Sequence, residues 1–237
     1  MSKRVLSFGG GVQTTAMAIL VAQGKIEVDE VVFADTGAEK PETYWYMEEY
    51  SKRWFKNKDI PFTTVRAKLN LLEYCGRYRI TPGIVNRWCT KHIKIKPMTD
   101  YLDKDTLLLV GFSTDEIHRT NRVHDGLQRE YPLIELGFSY SDCVEIIDSH
   151  GVPQPLRSSC FCCPFQPYLQ WNWLKREHPE LIKKCLDMEE ALYSRRPDVR
   201  HTAGVFAGKP LWKWVEGEQL EWQFPGEYSC YSGDCGH

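Results

Sequence analysis

The fold of the chain is decided by residues 5–15, which read V-L-S-F-G-G-G-V-Q-T-T. Four residues suited to a β-strand come first, three glycines follow, and a polar pair then opens an apolar helical stretch. Backbone N–H groups point outward from the first turn of a helix, and the helix dipole adds positive charge there. Glycine lets a backbone approach a phosphate closely. The segment therefore predicts a phosphate-binding loop, with a purely structural turn as the alternative.

Further along, strand-like and helix-like segments alternate, which indicates βαβ units and a parallel sheet. The predicted strands are 5–8, 31–35, 62–65 and 107–112, and the predicted helices are 14–22, 42–56, 142–149, 168–176 and 179–193. The composition shifts near Leu156 towards cysteines and turn formers. We expect a main domain over residues 1–156 and a small Cys-rich helical subdomain over residues 157–237, packed on the first.

The bulk composition limits the class of protein. The chain has 237 residues, of which 42% are hydrophobic, and this is enough for a well-buried core. It has no apolar run of about 18 residues and no signal-peptide pattern, so we expect a cytoplasmic protein without a membrane contact. The net charge of −2 gives no global attraction to nucleic acid. Contacts with nucleic acid would need local basic clusters, and residues 91–96 and 52–58 are two candidates. The alternative interpretation is that these residues form solvated helix faces.

A family resemblance enters at the glycine loop. Residues 7–15 resemble the pyrophosphate loop of N-type ATP pyrophosphatases, or PP-loop proteins, which is usually S-G-G-x-D-S. They are most similar to the phosphoadenosine-phosphosulfate (PAPS) reductase branch. The chain departs from the pattern at three positions, where Gly9, Gln13 and Thr14 replace serine, aspartate and serine. The loop lacks the lysine of a Walker motif and the spacing of a dinucleotide fingerprint.

Four further segments keep the order of that branch. They are A-D-T-G at 34–37 with P-E-T at 41–43, R-W-C-T at 87–90, G-F-S at 111–113 with an acidic pair and Arg119, and P-L-I at 132–134. Together with the glycine loop they cover roughly residues 5 to 165. The resemblance implies an open five-stranded parallel sheet with helices on both faces. ATP with Mg²⁺ would then lie across the carboxyl ends of the strands.

The resemblance also implies which residues contact the nucleotide. They are Ser7, Gly9, Gly10, Gly11, Gln13, Thr14, Asp35, Thr36, Arg87 and Arg119. Lys94 is a further candidate, in a catalytic role, because a lysine supplies a point charge to a phosphate, as arginine supplies a fork. The alternatives are a turn role for Asp35 and surface ion pairs for the three cations.

Nine cysteines in a cytoplasmic chain exceed the needs of packing and suggest metal, cluster or sulfur chemistry. Cys75, Cys143 and Cys185 fall among apolar residues and are predicted to pack as core residues. Residues 158–164, S-S-C-F-C-C-P, hold a C-x-x-C with a third cysteine inside. A tight turn of this kind aims thiolates at one centre, which suits a metal or iron–sulfur site.

In the related reductases and tRNA-thiolating pyrophosphatases, the R-x-C cysteine and a later C-x-x-C hold a [4Fe–4S] cluster. The resemblance thus assigns Cys89, Cys160 and Cys163 as ligands. The fourth position is left to Cys162, to a cysteine of the tail, or to an open site that holds sulfur. A zinc site formed by Cys160 and Cys163 with Cys230 and Cys235 is the competing hypothesis.

The tail D-C-G-H at 234–237 resembles the E-C-G-L-H of PAPS reductases, in which the cysteine is the nucleophile. Cys235 is therefore a candidate nucleophile or persulfide carrier, with a tail that has no role as the alternative.

The resemblance is closest to the ATP-pyrophosphatase subunits of bacterial DNA phosphorothioation systems, which serve in defence. It implies adenylation of a backbone phosphate and sulfur insertion, with Cys160, Cys163, Cys235 and Lys94 as the catalytic set. The implied partners are a cysteine desulfurase, DNA and other DNA-modification subunits, and the chain is compatible with a homodimer. The alternatives are a PAPS or APS reductase that uses Cys235, a tRNA-thiolating enzyme, and a nucleotide-binding module without catalysis.

Overall fold

A computed structural model of the chain describes residues 2–122 and 126–217. Its centre is one five-stranded sheet formed by β1 (Arg4–Phe8), β2 (Glu30–Asp35), β3 (Phe62–Arg66), β4 (Leu107–Val110) and β5 (Gln128–Glu130). The strand order is β3-β2-β1-β4-β5, and every pair is parallel. The prediction of an open parallel five-stranded sheet is confirmed. The order reverses direction beside β1, where open α/β sheets form a ligand crevice at the carboxyl ends of the strands.

Helices connect and cover the strands. They are α1 (Val12–Ala22), α2 (Pro41–Tyr46), α3 (Lys52–Lys56), α4 (Leu71–Tyr78), α5 (Lys96–Tyr101), α6 (Pro132–Glu135), α7 (Tyr140–Ser149), α8 (Tyr168–Glu177), α9 (Pro179–Arg195) and α10 (Leu211–Val215). Shorter helical segments are the π-helical turns Met47–Ser51 and Thr90–Ile95 and the 3₁₀ helices Thr114–Arg122 and Pro197–Val199. The predicted helix 42–56 is thus a continuous helical path whose middle is π-helical.

The strand predicted at 107–112 ends two residues early. The Phe112 N–H turns back to the Val110 carbonyl oxygen at 2.9 Å, which ends the ladder. Gly111 lies at that turn against α1, where an added Cβ would be 2.8 Å from Thr14 Cγ2. Because this turn packs closely on α1, the apolar segment 107–112 is two residues longer than β4.

Alternate residues of the strands pack on opposite faces of the sheet, as the period of two requires. One face carries α1, α3 and α7 over Leu6, Phe8, Val31, Phe33 and Leu109. The other face carries α5 over Val5, Val32, Val65 and Leu108. Both faces are therefore covered, which explains why the central strands read as nearly continuous apolar runs.

A second apolar cluster lies beyond the sheet and draws residues from both sides of Leu156. It combines Ala38, Leu71 and Ile93 with residues of the C-terminal helices such as Trp171 and Leu174. The segment that follows β2 and the C-terminal helices therefore share one core. Cys75 and Cys185 are buried in this cluster, and Cys143, a residue of α7, is buried between α7 and the sheet-covering core, so the prediction that these three fill the core is confirmed. Burial raises the pKa of the Cys75 and Cys143 thiols to about 12.

The helix pair α8–α9 is joined to α2 by His178. Its Nε2 atom lies 2.6 Å from Glu42 Oε1 and its Nδ1 atom lies 3.2 Å from Glu180 Oε1. The hydrogen bond with Glu42 raises the pKa of the imidazole above its usual value of 6.5, against the opposing effect of burial.

A pH dependence of stability follows from this contact. Because the folded pKa is raised, the stabilisation by His178 is fully present below pH 6.5 and is lost as the pH rises through the folded value. We expect the stability difference between the wild type and Glu42→Gln to shrink over that range. Urea unfolding between about pH 5.5 and about pH 8.5 measures it. A difference that does not change with pH would contradict the assignment.

Across residues 2–122 and 126–217, none of the helices combines the length and the apolar character needed to cross a membrane.

Candidate nucleotide and thiol site

The glycine loop joins β1 to α1 at the switch point of the sheet. Gly10 has a positive φ of 71°, and an added Cβ would lie 3.0 Å from Thr43 Cγ2. Gly11 has an ordinary φ of −98°, yet a Cβ there would lie 2.8 Å from Ser158 Oγ. Gly9 is exposed, and the atom nearest to its added Cβ would be Thr14 Oγ1 at 3.9 Å. Two glycines are thus required by neighbouring protein segments, and Gly9 is the one that faces open space.

The first turn of α1 is suited to an anion. No described side chain caps this turn, and it carries no acidic residue. Thr14 Oγ1 accepts the Gly9 N–H at 3.3 Å and donates to the Gly11 carbonyl oxygen at 3.2 Å, which closes the loop on itself. Ser7 lies half-buried in β1 just before it. Uncapped N–H groups at a helix N-terminus provide the positive end of the dipole to a phosphate.

Gln13 and Arg119 meet through a residue between them, Glu116. Gln13 Nε2 donates to Glu116 Oε2 at 3.2 Å, and Arg119 donates to Glu116 Oε1 at 2.6 Å. The Arg119 guanidinium also lies over the Phe112 ring, 4.1 Å from its centroid. Burial raises the pKa of the Glu116 carboxyl despite the ion pair. Arg119 is therefore buried and paired, and within this structure it orients Gln13 at the rim of the loop.

Asp35 ends β2 with both carboxylate oxygens engaged. Oδ1 accepts from the Gly37 N–H at 2.8 Å and from Tyr44 Oη at 2.6 Å, and Oδ2 accepts from Arg66 at 2.8–2.9 Å. Burial alone would raise the pKa of this carboxyl, but the hydrogen bonds outweigh burial and lower it. Asp35 thus fixes the turn after β2. This turn places the Thr36 hydroxyl next to the loop that carries Cys160.

The loop of residues 158–163, called the thiol loop here, lies against the turn that follows β2 and against the glycine loop. The Phe161 N–H donates to the Ala38 carbonyl oxygen at 2.8 Å, and Cys160 forms an isolated antiparallel bridge with Glu39. Cys160 Sγ lies 3.2 Å from Thr36 Oγ1 and 3.6 Å from Glu39 Oε1. Because Ser158 packs on Gly11, one short loop contacts the glycine loop at one end and carries a thiol at the other.

Two lysines stand beside the thiol loop, and one of them was not predicted. Lys40 is completely buried, and its Nζ atom donates to Ser159 Oγ at 2.7 Å. Longer contacts of 3.3–3.4 Å join it to the backbone carbonyl oxygens of Arg157 and Ser159 and to the Gln170 side chain. Burial lowers the pKa of Lys40 to about 8. Lys94 Nζ lies 3.2 Å from Glu39 Oε1; burial would lower its pKa, but the Glu39 carboxylate and the nearby thiols raise it.

The predicted metal-binding cysteines are only partly brought together. Cys163 is close enough to Cys89 and to Cys160 to raise the pKa of both thiols, although burial is the larger cause in each case. Cys162 instead is completely buried in the second apolar cluster with Cys185. The Arg87 guanidinium lies 4.5 Å from the Phe165 ring centroid, and its charge opposes the rise in the pKa of Cys89. Cys230 and Cys235 lie outside the described residues.

The donor set can be compared with the two metal hypotheses. Across residues 2–122 and 126–217, no three His, Cys, Asp or Glu side chains are grouped so as to hold a metal ion. The zinc hypothesis needs Cys230 and Cys235, which lie outside the described residues, so it stays a prediction. The ligands of a four-iron cluster bind different irons and need not converge on one point. Cys89, Cys160 and Cys163 supply thiols, the ligand type that such a cluster takes, and, besides burial, Cys163 raises the pKa of the other two.

Sequence reasoning missed Glu39, Lys40 and the two serines of the thiol loop. Glu39 and Lys40 are two of the three residues that separate A-D-T-G from P-E-T, where the family motif specifies no residue type. Only their burial distinguishes them, at 4% and 0% exposure. A Glu-Lys pair followed by proline ordinarily indicates a solvated turn, so the local sequence carried no signal for either residue.

Comparison with curated proteins finds three relatives without an assigned function. An uncharacterised protein of Methanocaldococcus jannaschii, MJ0066, is 26% identical over 235 residues, covering 91% of this chain and 46% of the relative. A second from the same organism, MJ0973, is 32% identical, covering 77% of this chain and 46% of the relative. An uncharacterised nin region protein of Escherichia phage lambda, ORF290, is 28% identical, covering 42% of each. The chain therefore spans less than half the length of these relatives.

Among solved structures, the PAPS reductase of Candida auris in a phosphate complex aligns with a TM-score of 0.50 at 14% identity. The alignment covers 65% of this chain and 76% of that one. At this identity the likeness shows the shared α/β fold alone. The U34-tRNA thiolase NcsA of Methanococcus maripaludis, solved with its [4Fe–4S] cluster, gives a TM-score of 0.40 at 14% identity, over 96% of this chain and 77% of that one.

A sequence model of the phosphoadenosine phosphosulfate reductase domain matches residues 3–127. This range contains β1 to β4, the glycine loop, the turn after β2 and the R-W-C-T segment. The match covers more than half of the chain and agrees with the sheet topology. The chain belongs to the phosphoadenosine phosphosulfate reductase domain family, a family of enzymes of sulfur chemistry.

Proposed function

We propose that the chain is an ATP pyrophosphatase and sulfurtransferase that adenylates a backbone phosphate of DNA for phosphorothioation, with sulfur delivered by a cysteine desulfurase. One observation carries the proposal: the thiol loop packs on the glycine loop. An added Cβ on Gly11 would lie 2.8 Å from Ser158 Oγ, and Cys160 is two residues further along. The predicted phosphate loop and a thiol thus lie at one edge of the sheet, and this proximity supports the proposal.

The proposed reaction has two displacements at phosphorus. An oxygen of the substrate phosphate attacks the α-phosphorus of ATP, and pyrophosphate leaves. Sulfur that arrives as a desulfurase persulfide takes two electrons from a thiol reductant, which becomes a disulfide. The resulting sulfide-level nucleophile attacks the adenylated phosphorus of the substrate, and AMP leaves with the oxygen. The chain positions the reactants and neutralises charge. Glycine-loop N–H groups would hold the β and γ phosphates, and Lys94 with Arg87 would face charge that develops near the thiols.

The carboxylates around the glycine loop limit how Mg²⁺ would bind. Asp35 accepts hydrogen bonds from three residues, and Glu116 is occupied by Gln13 and Arg119. Mg²⁺ commonly binds through substrate phosphates and water with one or two carboxylates, so it would enter here mainly with the nucleotide, where it supplies positive charge to the polyphosphate.

The thiols have a separate part in the proposal. An iron–sulfur group held by Cys89, Cys160 and Cys163 would supply a site at which sulfur is stored before transfer. The protein's own contribution is to shield this place from water. Cys160 forms the backbone bridge with Glu39, and both Cys160 and Cys89 pack against the second apolar cluster.

A nucleic-acid substrate is supported by the basic residues around Cys89. Lys91 is exposed, and Arg87 and Lys94 lie on the same segment as Cys89. Lys52 and Arg53 of the second predicted basic cluster form ion pairs one turn away with Glu48 and Glu49, as Lys96 does with Asp100, which is typical of a solvated helix face. The contact with a phosphate backbone is therefore proposed at residues 87–94.

A second candidate is a PAPS or APS reductase, and the matching family model favours it. Such an enzyme consumes no ATP and passes a sulfonate to a cysteine nucleophile. The candidate nucleophile, Cys235, lies outside the described residues. The two functions therefore differ in their nucleotide and in the thiol they use.

The products separate the two. We expect the anaerobically purified full chain, given ATP, DNA, cysteine and a cysteine desulfurase, to release AMP and pyrophosphate in equal amounts and to place sulfur in the DNA backbone. Nucleotides are measured by ion-exchange chromatography and phosphorothioate by mass spectrometry of a nuclease digest. Thioredoxin-dependent sulfite release from PAPS, without pyrophosphate release from ATP, would overturn the proposal in favour of the reductase.

A further inference from the structure

We infer that Lys40 is a positioning residue for the sulfur-transfer step, because its buried ammonium group fixes the thiol loop on both sides of Cys160. The inference rests on the proposed function, in which the thiol loop takes part in that step. It assigns a task to a residue at a position where the family motif specifies no residue type.

Lys40 is a completely buried cation that is surrounded by neutral oxygen atoms. Its Nζ atom donates to Ser159 Oγ at 2.7 Å and lies 3.3 Å from Gln170 Oε1. The carbonyl oxygens of Arg157 and Ser159 lie 3.4 Å from it. An ammonium group has three N–H donors, and a buried one is tolerated where such acceptors satisfy it. The lysine thus connects the turn after β2, the start of the thiol loop and α8.

The same hydrogen-bond network reaches the other side of Cys160. Ser159 Oγ lies 3.5 Å from Gln166 Oε1, and Gln166 Nε2 donates to the Phe161 carbonyl oxygen at 3.3 Å. Ser159 and Gln166 are both buried. Buried polar networks whose members are satisfied hold one geometry. Both chain neighbours of Cys160 therefore belong to a network that is centred on one ammonium group.

This network determines where the Cys160 thiol lies. Cys160 forms its backbone bridge with Glu39, the neighbour of Lys40, and its Sγ atom lies 3.2 Å from Thr36 Oγ1. Ser158 packs on the glycine loop at the start of the same segment. Lys40 therefore holds the thiol loop between its contact with the glycine loop and its thiol.

A positioning role and a purely stabilising role predict different products. Loss of a lysine that only stabilises the fold would lower both chemical steps together. The glycine loop has its own closing hydrogen bonds through Thr14, so loss of Lys40 should leave the adenylation step in place. If sulfur transfer is slow, water attacks the adenylated phosphorus, AMP leaves, the unmodified phosphate is restored and the protons go to solvent. The ratio of AMP to phosphorothioate therefore distinguishes the two roles.

The test measures both products in one reaction of the full chain with ATP, DNA, cysteine, a cysteine desulfurase and a thiol reductant. Lys40→Met keeps the length of the side chain and removes its charge. We expect it to form about tenfold less phosphorothioate, as a misplaced reacting group does, with AMP release nearly unchanged. Ser159→Ala removes the shortest contact of Lys40 and should change the ratio in the same direction by a smaller factor.

Glu189→Gln is the matched control, because Glu189 is a second buried charged residue that holds backbone. Its carboxylate accepts the N–H groups of Val205 and Leu211 at 2.8–2.9 Å, so it fixes that segment rather than the thiol loop. We expect Glu189→Gln to lower stability and to keep the wild-type ratio of AMP to phosphorothioate.

Hydrogen–deuterium exchange of the purified full chain tests the hold on the loop without any substrate. In Lys40→Met, the peptide that spans residues 158–166 should exchange about tenfold faster, and the peptide that spans β1 and α1 should not change. In Glu189→Gln, faster exchange is expected at residues 204–211 instead.

The inference is overturned if Lys40→Met keeps the wild-type product ratio, or if residues 158–166 exchange as in the wild type. The proposed function stands in both cases, provided that the wild type forms pyrophosphate and phosphorothioate. If the wild type forms neither product while exchange changes as expected, the proposed function fails. The sulfur step assigned to Lys40 then fails with it, although its hold on the loop is confirmed.

Discussion

Replacing Gly11 with alanine is expected to lower the rate of pyrophosphate release about a hundredfold, because a misplacement of about 1 Å in an active site has an effect of this size. The backbone at Gly11 tolerates a side chain, since its φ is −98°. The new Cβ, however, would lie 2.8 Å from Ser158 Oγ, closer than such atoms approach. Either the Ser158 hydroxyl must rotate away or one of the two loops must shift, and we expect the loops to shift.

The double variant Gly11→Ala/Ser158→Ala is the control for this prediction. Removal of the hydroxyl leaves the Ser158 Cβ at 3.7 Å from the new methyl group, which is ordinary van der Waals contact. We expect the double variant to recover most of the rate, with Ser158→Ala alone close to the wild type, in a coupled pyrophosphate assay. A double variant as slow as Gly11→Ala would show that the contact between the two loops is not the cause.

Replacing Cys160 with alanine is expected to reduce sulfur incorporation into DNA to the level measured without the protein. Cys160 is the cysteine that contacts Thr36 and Glu39, and it lies two residues from the contact with the glycine loop. The glycine loop and α1 do not depend on this thiol. Nucleotide binding, measured by calorimetry with a non-hydrolysable ATP analogue, should therefore remain.

Cys143→Ala is the matched control for Cys160→Ala. Cys143 lies on α7 and is fully buried in the apolar cluster that α1, α3 and α7 form with the sheet, whereas Cys160 is partly buried. We expect Cys143→Ala to lower stability and to keep sulfur incorporation. Phosphorothioate at the wild-type level in Cys160→Ala would remove the thiol loop from the proposed reaction.

The fold was predictable because its signals are local. The run of apolar residues at 31–35 and the glycine turn at 9–11 are each properties of a few neighbouring residues, and they specify β2 and the β1–α1 junction. The family motifs then supplied the strand count, including β5, whose three residues carry no strand signal of their own. The predicted end of β4, at residue 112, was wrong by two residues, because the true end at Val110 depends on how Gly111 packs on Thr14.

The site was predictable only in part because its decisive contacts are long-range. The contact of Glu39 with Cys160 joins residues 121 positions apart, and that of Lys40 with Ser159 joins residues 119 apart. Glu39 and Lys40 are buried in the folded chain, although a Glu-Lys pair before a proline is typical of a surface turn. No local sequence pattern predicts this burial. Arg119 shows the converse: the motif marks an arginine at this position, but its ion pair with Glu116 is visible only in the folded chain.

The central claim is that the glycine loop and the thiol loop form one site. A crystal structure of the full chain with a non-hydrolysable ATP analogue and Mg²⁺ tests it most directly. The account predicts the β and γ phosphates at the backbone N–H groups of Gly9, Gly10 and Gly11, with the α-phosphate facing the side of the pocket that holds Cys160. A polyphosphate bound elsewhere, or an α-phosphate that faces away from the thiol loop, would contradict it.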